Sequence, residues 1–243
     1  MSLAASVEAN IRGFAHKRSR TWPFVVEQLD ASLWVVADKP RPKLRVREYF
    51  AVHGDVSATV TRIKRHAGRE PFVLCVGSPA EGRDAELEDA YRSNDLRLFA
   101  NEGLFVRRLP PRPRRTDRHD IRRVDSVESA RALAKAARSQ QLTEDEAAAP
   151  DADLRVHIAV VDGKPIGWCG SVRTNPTTAV AVDVCVDRNH RNRGIGKALM
   201  RALLLDDARR GITANHLAAS RLGAKLYASV GYDHIGTLTC FRG

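Results

Sequence analysis

Alternation of apolar and polar positions predicts a run of strands in the second half of the chain. Val156–Val161 and Pro165–Val172 alternate in this way. They are joined by Asp162-Gly163-Lys164, whose Asp-Gly pair favours a tight turn, so the two runs predict a hairpin. Ala179–Val186 is predicted as the following strand. Further upstream, Asp125–Glu128 has the spacing of a capping box, and the alanine-rich stretch Ser129–Ser139 predicts an amphipathic helix.

Helical spacing replaces the alternation after residue 193. Leu199, Leu203 and Leu204 recur on one face, and Gly211 suits a C-terminal cap, so a helix is predicted from Gly194 to Gly211. A strand, a helix and a last strand are predicted to follow at Ile212–Ala219, Ala224–Ser229 and Ile235–Phe241. The predicted order is therefore β-β-β-α-β-α-β.

The turn between the third strand and the first of these helices carries candidate chemistry. It reads Arg191-Asn192-Arg193-Gly194-Ile195-Gly196-Lys197. The glycines let backbone amides approach a ligand, and the first turn of a helix presents free N–H groups and a positive dipole end. Arg191, Arg193 and Lys197 add full positive charges. A phosphate-binding loop is predicted, although the run lacks the endings of a P-loop or a dinucleotide fingerprint and could be an ordinary basic turn.

The string Arg-x-x-Gly-x-Gly resembles the acetyl-CoA signature of the GNAT superfamily of N-acetyltransferases. The later run Leu226-Tyr227-Ala228-Ser229-Val230-Gly231-Tyr232 resembles the family ending Leu-Tyr-x-x-x-Gly-Phe/Tyr. Both motifs occur in the family order. The resemblance implies an α/β (α+β) chain with the GNAT fold, in which helices flank a mixed central sheet.

The same resemblance implies an activity and a set of site residues. An enzyme of this family transfers an acetyl group from acetyl-CoA, its cosubstrate, to a primary amine of a small molecule or a peptide by direct attack in a ternary complex. Tyr227 matches the tyrosine that protonates the departing thiolate. The family places its base variably, so the candidates come from the residues themselves: Asp183 first, because it is on the strand that leads to the loop, and then His157, His190 and His216, because histidine titrates near neutral pH. The residues expected to bind the cosubstrate are Val184, Val186, Arg191, Asn192, Arg193, Gly194, Ile195, Gly196, Lys197 and Ser220.

The first hundred residues show no phosphate loop of their own. Pro71–Gly77 predicts a strand, Glu86–Asn94 a helix and Leu96–Arg107 a long strand, which is the order of the last third of a GNAT domain. Tyr91 precedes Leu96 by five residues, as Tyr227 precedes Tyr232. This region is either a degenerate second copy of the fold or an unrelated α+β cap.

Two further segments define the predicted organisation. Residues 107–123 alternate proline with arginine, which predicts an extended, solvated connector. The predicted divisions are therefore an N-terminal α+β region at 1–108, a linker at 109–123 and an acetyltransferase domain at 124–243. The acidic segment 144–153 is predicted to be a solvated loop, with attraction of a cationic amine as the alternative.

Composition widens the choice of function. The formal net charge is +11, supplied mainly by arginine, whose planar guanidinium suits phosphates. This charge fits coenzyme A but also leaves open a basic nucleic-acid-associated protein, which is less favoured because aromatics for base stacking are missing from the Arg/Pro segment. A non-catalytic acyl-CoA-binding or regulatory protein is the other alternative.

The remaining features exclude several classes. The four cysteines stand apart from one another, so neither a metal site nor a disulfide framework is predicted. The sequence shows neither a membrane span nor a signal peptide, and a cytoplasmic protein without membrane partners is expected. Monomer and homodimer are both compatible with it.

Overall fold

The computed structural model of the chain describes residues 2–18, 24–38, 47–109 and 119–243. In chain order the helices are α1 (Leu3–Arg18), α2 (Val56–Ala67), α3 (Ala85–Arg92), α4 (Val127–Ala137), α5 (Glu144–Ala148), α6 (Ile195–Arg209) and α7 (Arg221–Ser229). The strands are β1 (Phe24–Asp30), β2 (Leu33–Asp38), β3 (Arg47–Val52), β4 (Phe72–Ser78), β5 (Arg97–Arg108), β6 (Ile121–Arg123), β7 (Leu154–Val161), β8 (Lys164–Asn175), β9 (Thr178–Val186), β10 (Ala214–Ala219) and β11 (Asp233–Arg242). A 3₁₀ turn spans Arg188–His190.

Residue contacts divide the chain into two units, and neither unit is one continuous stretch. The first unit comprises Met1–Val106 together with Ala218–Lys225 and Asp233–Gly243. The second comprises Arg107–Leu217 and Leu226–Tyr232. In the described part of the chain, no helix has both the length and the apolar composition needed to cross a membrane.

The sheet of the first unit has the strand order β1-β2-β3-β4-β11-β5. Its first three strands form an antiparallel meander, and β3 and β4 are parallel. Strand β11 pairs antiparallel with both β4 and β5, so it lies between them. Two apolar layers cover this sheet. Helices α2 and α3 pack on one face, around Ile63, Leu74, Leu87 and Phe241, and α1 packs on the other, around Ile11 and Leu104.

The sheet of the second unit has the order β10-β9-β8-β7-β6. Strands β6 to β9 are antiparallel and β9 and β10 are parallel. Alternate side chains of β7 point to opposite faces of this sheet. Leu154, Val156 and Ile158 pack against α4 and α5, whereas the intervening Arg155 reaches Asp206 on α6. Helix α6 therefore lies on the face opposite α4 and α5.

The main sequence predictions for this unit are confirmed. The predicted hairpin is β7 and β8, the next strand is β9, and α6 occupies the predicted helix. The helix predicted at Ser129–Ser139 is α4, which begins two residues earlier. Its N-cap is Ser126, not Asp125, because Ser126 and Ser129 exchange the reciprocal hydrogen bonds of a capping box.

Two predictions of irregular structure are wrong in part. The acidic segment begins with the helix α5, since Thr143 and Glu146 form a capping box that stabilises this short helix. The predicted connector at 107–123 lies largely outside the described residues, but its end, Ile121–Arg123, is strand β6. This strand gains backbone hydrogen bonds by pairing with β7 at its edge.

Both halves of the chain repeat one order of elements. The run β1-β2-β3-α2-β4-α3-β5 and the run β7-β8-β9-α6-β10-α7-β11 are each β-β-β-α-β-α-β. In each run the third and fourth strands are parallel and the first three are antiparallel. The repeat favours the interpretation of the N-terminal region as a second copy of the same fold over an unrelated cap.

Candidate cofactor and catalytic site

A β-bulge shapes the strand that leads to the phosphate loop. Gly170 on β8 is paired with Val182, and Trp168 is paired with Cys185, so two residues of β9 stand opposite one of β8. One of the two, Asp183, has a φ of +53°, in the left-handed region. A bulge of this kind bends its strand and redirects the side chains that follow. Asp183 therefore lies at the point where β9 changes direction.

Strands β9 and β10 part just before the bulge. Their parallel pairing runs from Ala214 with Thr178 to His216 with Val180, and within this described stretch it ends there. Strand β9 continues through residues 181–186, among which Val184, Cys185 and Val186 are partly exposed. Over this stretch the edge of β9 that points away from β8 is not paired with β10, and the backbone groups of a strand edge need partners.

The loop after β9 is held by its own side chains and backbone. Asp187 caps the 3₁₀ turn by accepting a hydrogen bond from the Asn189 amide at 2.8 Å. This bond is the main cause that lowers the pKa of Asp187 below its ordinary value. Arg191 Nε donates to the carbonyl oxygen of Val186 at 3.0 Å, and Asn192 takes a φ of +61°. These hydrogen bonds therefore define the backbone path of the turn.

Helix α6 starts with amides that no side chain caps. Its N-cap residue is Gly194, which has a φ of +81° and makes no side-chain cap hydrogen bond. Ile195 is buried and anchors the first turn, whereas Gly196 and Lys197 are partly exposed. The N-terminal amides and the positive end of the helix dipole are therefore available to an anion, with Arg191, Arg193 and Lys197 nearby in the chain.

Tyr227 lies in the last part of α7 and is buried, with 9% of its surface exposed. Burial, together with the nearby Cys169 thiol, raises the pKa of Tyr227 to about 12. Its ring packs edge-on against that of Tyr232, with the centroids 5.9 Å apart. The phenol therefore keeps its proton at neutral pH and can act as a hydrogen-bond donor.

The other predicted site residues lie in several environments. Ser220 is exposed immediately before α7, and its carbonyl oxygen accepts from the amides of Gly223 and Ala224. Among the alternative bases, His157 and His216 are buried in β7 and β10, and burial lowers the pKa of each to about 4. His190 lies on the 3₁₀ turn, 3.4 Å from Asp187. The roles assigned to all these residues stay predictions.

One residue at the loop was not found by sequence reasoning. His119 lies next to Gly194: a Cβ built on this glycine would be 3.6 Å from His119 Nε2. The neighbouring Asp120 is fixed because its carbonyl oxygen accepts from the Val160 amide at 3.0 Å. In the sequence His119 stands at the end of the Arg/Pro-rich run, where nothing distinguishes it from the surrounding charges.

Comparison with known proteins relates this arrangement to one enzyme fold. Residues 152–234 match the family model of the acetyltransferase (GNAT) domain. A GCN5-related N-acetyltransferase from Kribbella flavida is similar in structure, with a TM-score of 0.70 and 15% identity over 99% of this chain and 95% of that chain. A GCN5-related N-acetyltransferase from Sphaerobacter thermophilus gives a TM-score of 0.59 at 16% identity, over 89% and 82% of the two chains. No match was found among curated proteins.

A tandem GNAT protein from the clavulanic acid biosynthesis pathway is also similar, with a TM-score of 0.57 and 14% identity over 87% of this chain and 78% of that chain. At these identities the likeness concerns the fold, and the predicted α/β GNAT fold is confirmed. The match over residues 152–234 contains the bulged strand, the loop and both motif-bearing helices. Residues 152–234 therefore match the GNAT domain family, and the chain as a whole has the GNAT fold.

Proposed function

We propose that this chain transfers an acetyl group from acetyl-CoA to a primary amine. The observation that carries the proposal is the course of β9. This strand separates from β10 after Val180, continues with an open edge, and leads into a loop that ends at the uncapped N-terminus of α6. An open strand edge suits the amides of pantetheine, and an uncapped helix N-terminus suits a pyrophosphate.

The residues fit this substrate group by group. The amides around Gly194, Ile195 and Gly196 would hold the pyrophosphate, and Lys197 would add charge. Val184 and Val186 would pair their backbone groups with the pantetheine arm. Acetyl-CoA supplies the acetyl group as a thioester, so this placement would bring the thioester carbonyl towards the bulge at Asp183.

In the proposed reaction the amine nitrogen attacks the thioester carbonyl, the new C–N bond forms, and the C–S bond breaks. The amine loses a proton and the thiolate gains one, so the products are an N-acetyl amine and a free thiol. Asp183 is the proposed acceptor of the amine proton, directly or through water, because it lies at the bend in β9 and is only partly buried. The protein's main contribution is to hold the two reactants in position.

Tyr227 is the proposed donor to the sulfur. Its pKa of about 12 lies above the ordinary thiol value of about 8.5, so full proton transfer to the thiolate is unfavourable. A hydrogen bond from the phenol to the developing thiolate is the role that this pKa supports. The thiolate then completes its protonation as the product amine sheds its proton.

The first unit has counterparts of the α6 N-terminus and of Tyr227, but neither is suited to binding acetyl-CoA. The helix corresponding to α6 is α2, whose N-cap is Asp55, with a side chain that accepts from the Ala58 amide. A carboxylate at this position occupies the helix N-terminus and repels a phosphate. Tyr91, the counterpart of Tyr227, is fully buried and packs on Phe241 with ring centroids 4.9 Å apart. These contrasts support one acetyl-CoA site, in the second unit.

The test is a comparison of two thioesters that differ in their phosphates. Acetyl-CoA at about 100 times its dissociation constant should stabilise the protein by about 2.7 kcal/mol, seen as a higher melting temperature that persists at moderate salt. S-acetylpantetheine, which lacks the phosphates, should bind more weakly. A screen of amines for release of free thiol then tests transfer. Absence of acetyl-CoA binding would contradict the proposal, and binding without transfer would indicate a non-catalytic acyl-CoA-binding protein.

A further inference from the structure

A chain of buried polar side chains crosses the interior of the second unit. Ser171 on β8, Asp207 on α6, Asn215 on β10 and Tyr232 after α7 are each at most 5% exposed. Tyr232 Oη donates to Asn215 Oδ1 at 2.6 Å, and Asn215 Nδ2 donates to Asp207 Oδ2 at 2.7 Å. Ser171 Oγ lies 2.9 and 2.8 Å from the two carboxylate oxygens of Asp207. The bonds therefore form one continuous path from β8 to Tyr232.

The direction of this path follows from the chemistry of its members. An ionised carboxylate only accepts hydrogen bonds, so the amide nitrogen of Asn215 must face Asp207. The amide oxygen of Asn215 is then left to accept from Tyr232. Asp207 thus fixes the orientation of Asn215, and Asn215 fixes the position of the Tyr232 hydroxyl.

Packing alone does not require this path. Apolar side chains of similar volume are commonly as stable as buried polar groups, and an unsatisfied buried polar group is costly. The Tyr232 hydroxyl does more than fill space, because it satisfies the amide oxygen of the buried Asn215.

Tyr232 is held through its hydroxyl and through its backbone amide, and the Tyr227 ring packs against its ring. At one end the hydroxyl is bonded to Asn215, and at the other the Tyr232 amide donates to the carbonyl oxygen of Tyr227 at 3.1 Å. Between them the two rings meet edge-on at an angle of 70°. A rotation of the Tyr232 ring would therefore change the surface against which the Tyr227 ring packs.

We propose that Tyr232 is a positioning residue for Tyr227, held in place by Asn215 and Asp207. The inference rests on the proposed acetyl transfer, in which Tyr227 faces the departing sulfur. Errors of position of about 1 Å can cost a catalytic group on the order of a hundredfold in rate. Loss of the Tyr232 anchor should therefore lower kcat while leaving the binding of acetyl-CoA in place.

The kinetic test is a double-mutant cycle of Tyr232→Phe and Tyr227→Phe. Tyr232→Phe alone should lower kcat about tenfold, with KM for acetyl-CoA changed by no more than about twofold. In the Tyr227→Phe background the same substitution should have no further effect on kcat, because the group that it positions is gone. An equal loss of kcat in both backgrounds would overturn the inference and indicate a general structural role.

A matched control separates positioning from loss of a buried hydrogen bond. Tyr49, in the first unit, is fully buried and its hydroxyl lies 2.8 Å from His66 Nδ1. Tyr49→Phe removes a comparable hydrogen bond, so it should lower the melting temperature but leave kcat unchanged. A fall in kcat as large as that of Tyr232→Phe would contradict the inference.

The positioning of Tyr227 can also be tested without acetyl transfer, by ¹⁹F NMR, so that this inference and the proposed function can fail separately. The chain has four tyrosines, so ¹⁹F spectra of the fluorotyrosine-labelled protein can be assigned with single Tyr→Phe variants. The Tyr227 resonance should shift or broaden in Tyr232→Phe and stay unchanged in Tyr49→Phe. An unchanged Tyr227 resonance in Tyr232→Phe would overturn the positioning role. Absence of acetyl transfer by the wild-type protein would instead count against the proposed function.

Discussion

Gly196 lies against Leu226: a Cβ built on this glycine would be 3.3 Å from Leu226 Cδ2. The first turn of α6 and the middle of α7 therefore meet at a point with little spare room. The neighbouring Gly194 is required for a different reason. Its φ of +81° is one that residues with a side chain rarely adopt, whereas a methyl group there would make only an ordinary van der Waals contact with His119 Nε2, at 3.6 Å. The two glycines of the loop can thus be tested separately.

Gly194→Ala should weaken the binding of acetyl-CoA and lower the free energy of unfolding by about 1 kcal/mol, because alanine in the left-handed region is strained. The matched control is Gly211→Ala at the other end of α6. Gly211 has a φ of +82° and no atom within 4 Å of its Cβ position. Isothermal titration and urea unfolding measure the two effects.

The control should lose similar stability but keep its affinity for acetyl-CoA. Equal affinities of Gly194→Ala and the wild-type protein would contradict the assignment of the loop as the phosphate site. Gly196→Ala should be the milder loop substitution, since the end of the Leu226 side chain can move by a few tenths of an ångström.

Tyr227→Phe should lower kcat by about tenfold to a hundredfold and leave the affinity for acetyl-CoA within about twofold, because the hydrogen bond to the sulfur is needed only as the thiolate forms. Tyr91→Phe is the natural comparison. It changes the corresponding residue of the first unit, which is fully buried against Phe241. Steady-state release of free thiol should be unaffected by Tyr91→Phe. Turnover of Tyr227→Phe at the wild-type rate would remove the role proposed for this phenol.

Cys185 should react first with iodoacetamide. It is partly exposed on the open stretch of β9, whereas Cys75, Cys169 and Cys240 are buried. The pKa of Cys75 is raised by a hydrogen bond with Cys240 and by burial, and the pKa of Cys169 is raised by burial. Cys75 and Cys169 are therefore poor nucleophiles as well. Acetyl-CoA should slow the reaction at Cys185, because the proposed pantetheine path covers it. Mass spectrometry of the labelled peptides would show both effects, and labelling at Cys185 that acetyl-CoA leaves unchanged would contradict the path.

Acid should destabilise the protein between about pH 6.5 and 4 through His157 and His216. Each has its pKa lowered from 6.5 to about 4 by burial. In this range the unfolded chain binds protons that the folded chain does not, so the free energy of unfolding falls as the pH is lowered. Urea unfolding measured at several pH values would give this dependence. His216→Gln should make it shallower.

Asp207 acts in the opposite direction over part of the same range. Burial raises the pKa of this carboxyl from 3.8 to about 6, so the folded chain binds the extra proton between these values and is stabilised as the pH falls. Asp207→Asn removes this compensation. Its free energy of unfolding should therefore fall more steeply from pH 6 to 4 than that of the wild-type protein, and an equal or shallower fall would contradict the assignment.

The sequence predicts the parts of the site that are contiguous in the chain. The loop from Arg191 to Lys197 is flanked by a strand and a helix, and its glycines and charges predict a phosphate-binding loop without knowledge of the fold. The left-handed φ of Asp183 was not predictable in this way, because the bulge results from pairing with β8. Likewise Ser171, Asp207, Asn215 and Tyr232 are scattered in sequence, so their hydrogen-bonded path exists only in the folded unit.

The N-terminal half was harder to predict because its local signals are weaker. Strand β4, helix α3 and strand β5 were predicted from their apolar patterns and are confirmed. Helix α1 was not predicted: its apolar residues are interrupted by polar ones and by Gly13, so its helical form depends on packing against the sheet. The strand predicted at Ile235–Phe241 is confirmed as β11, but its partners were not predictable from its own residues.

Strand β11 has a consequence for how the polypeptide acquires its structure during synthesis. The ribosome completes β4 and β5 more than a hundred residues before it makes the strand that lies between them. Until then the edges of β4 and β5 that pair with β11 in the folded unit have no partner, so they can pair with other chains. The first unit therefore cannot finish folding until Asp233–Arg242 has been made, and a ribosome stalled before Asp233 would hold an incompletely folded unit that is prone to aggregate.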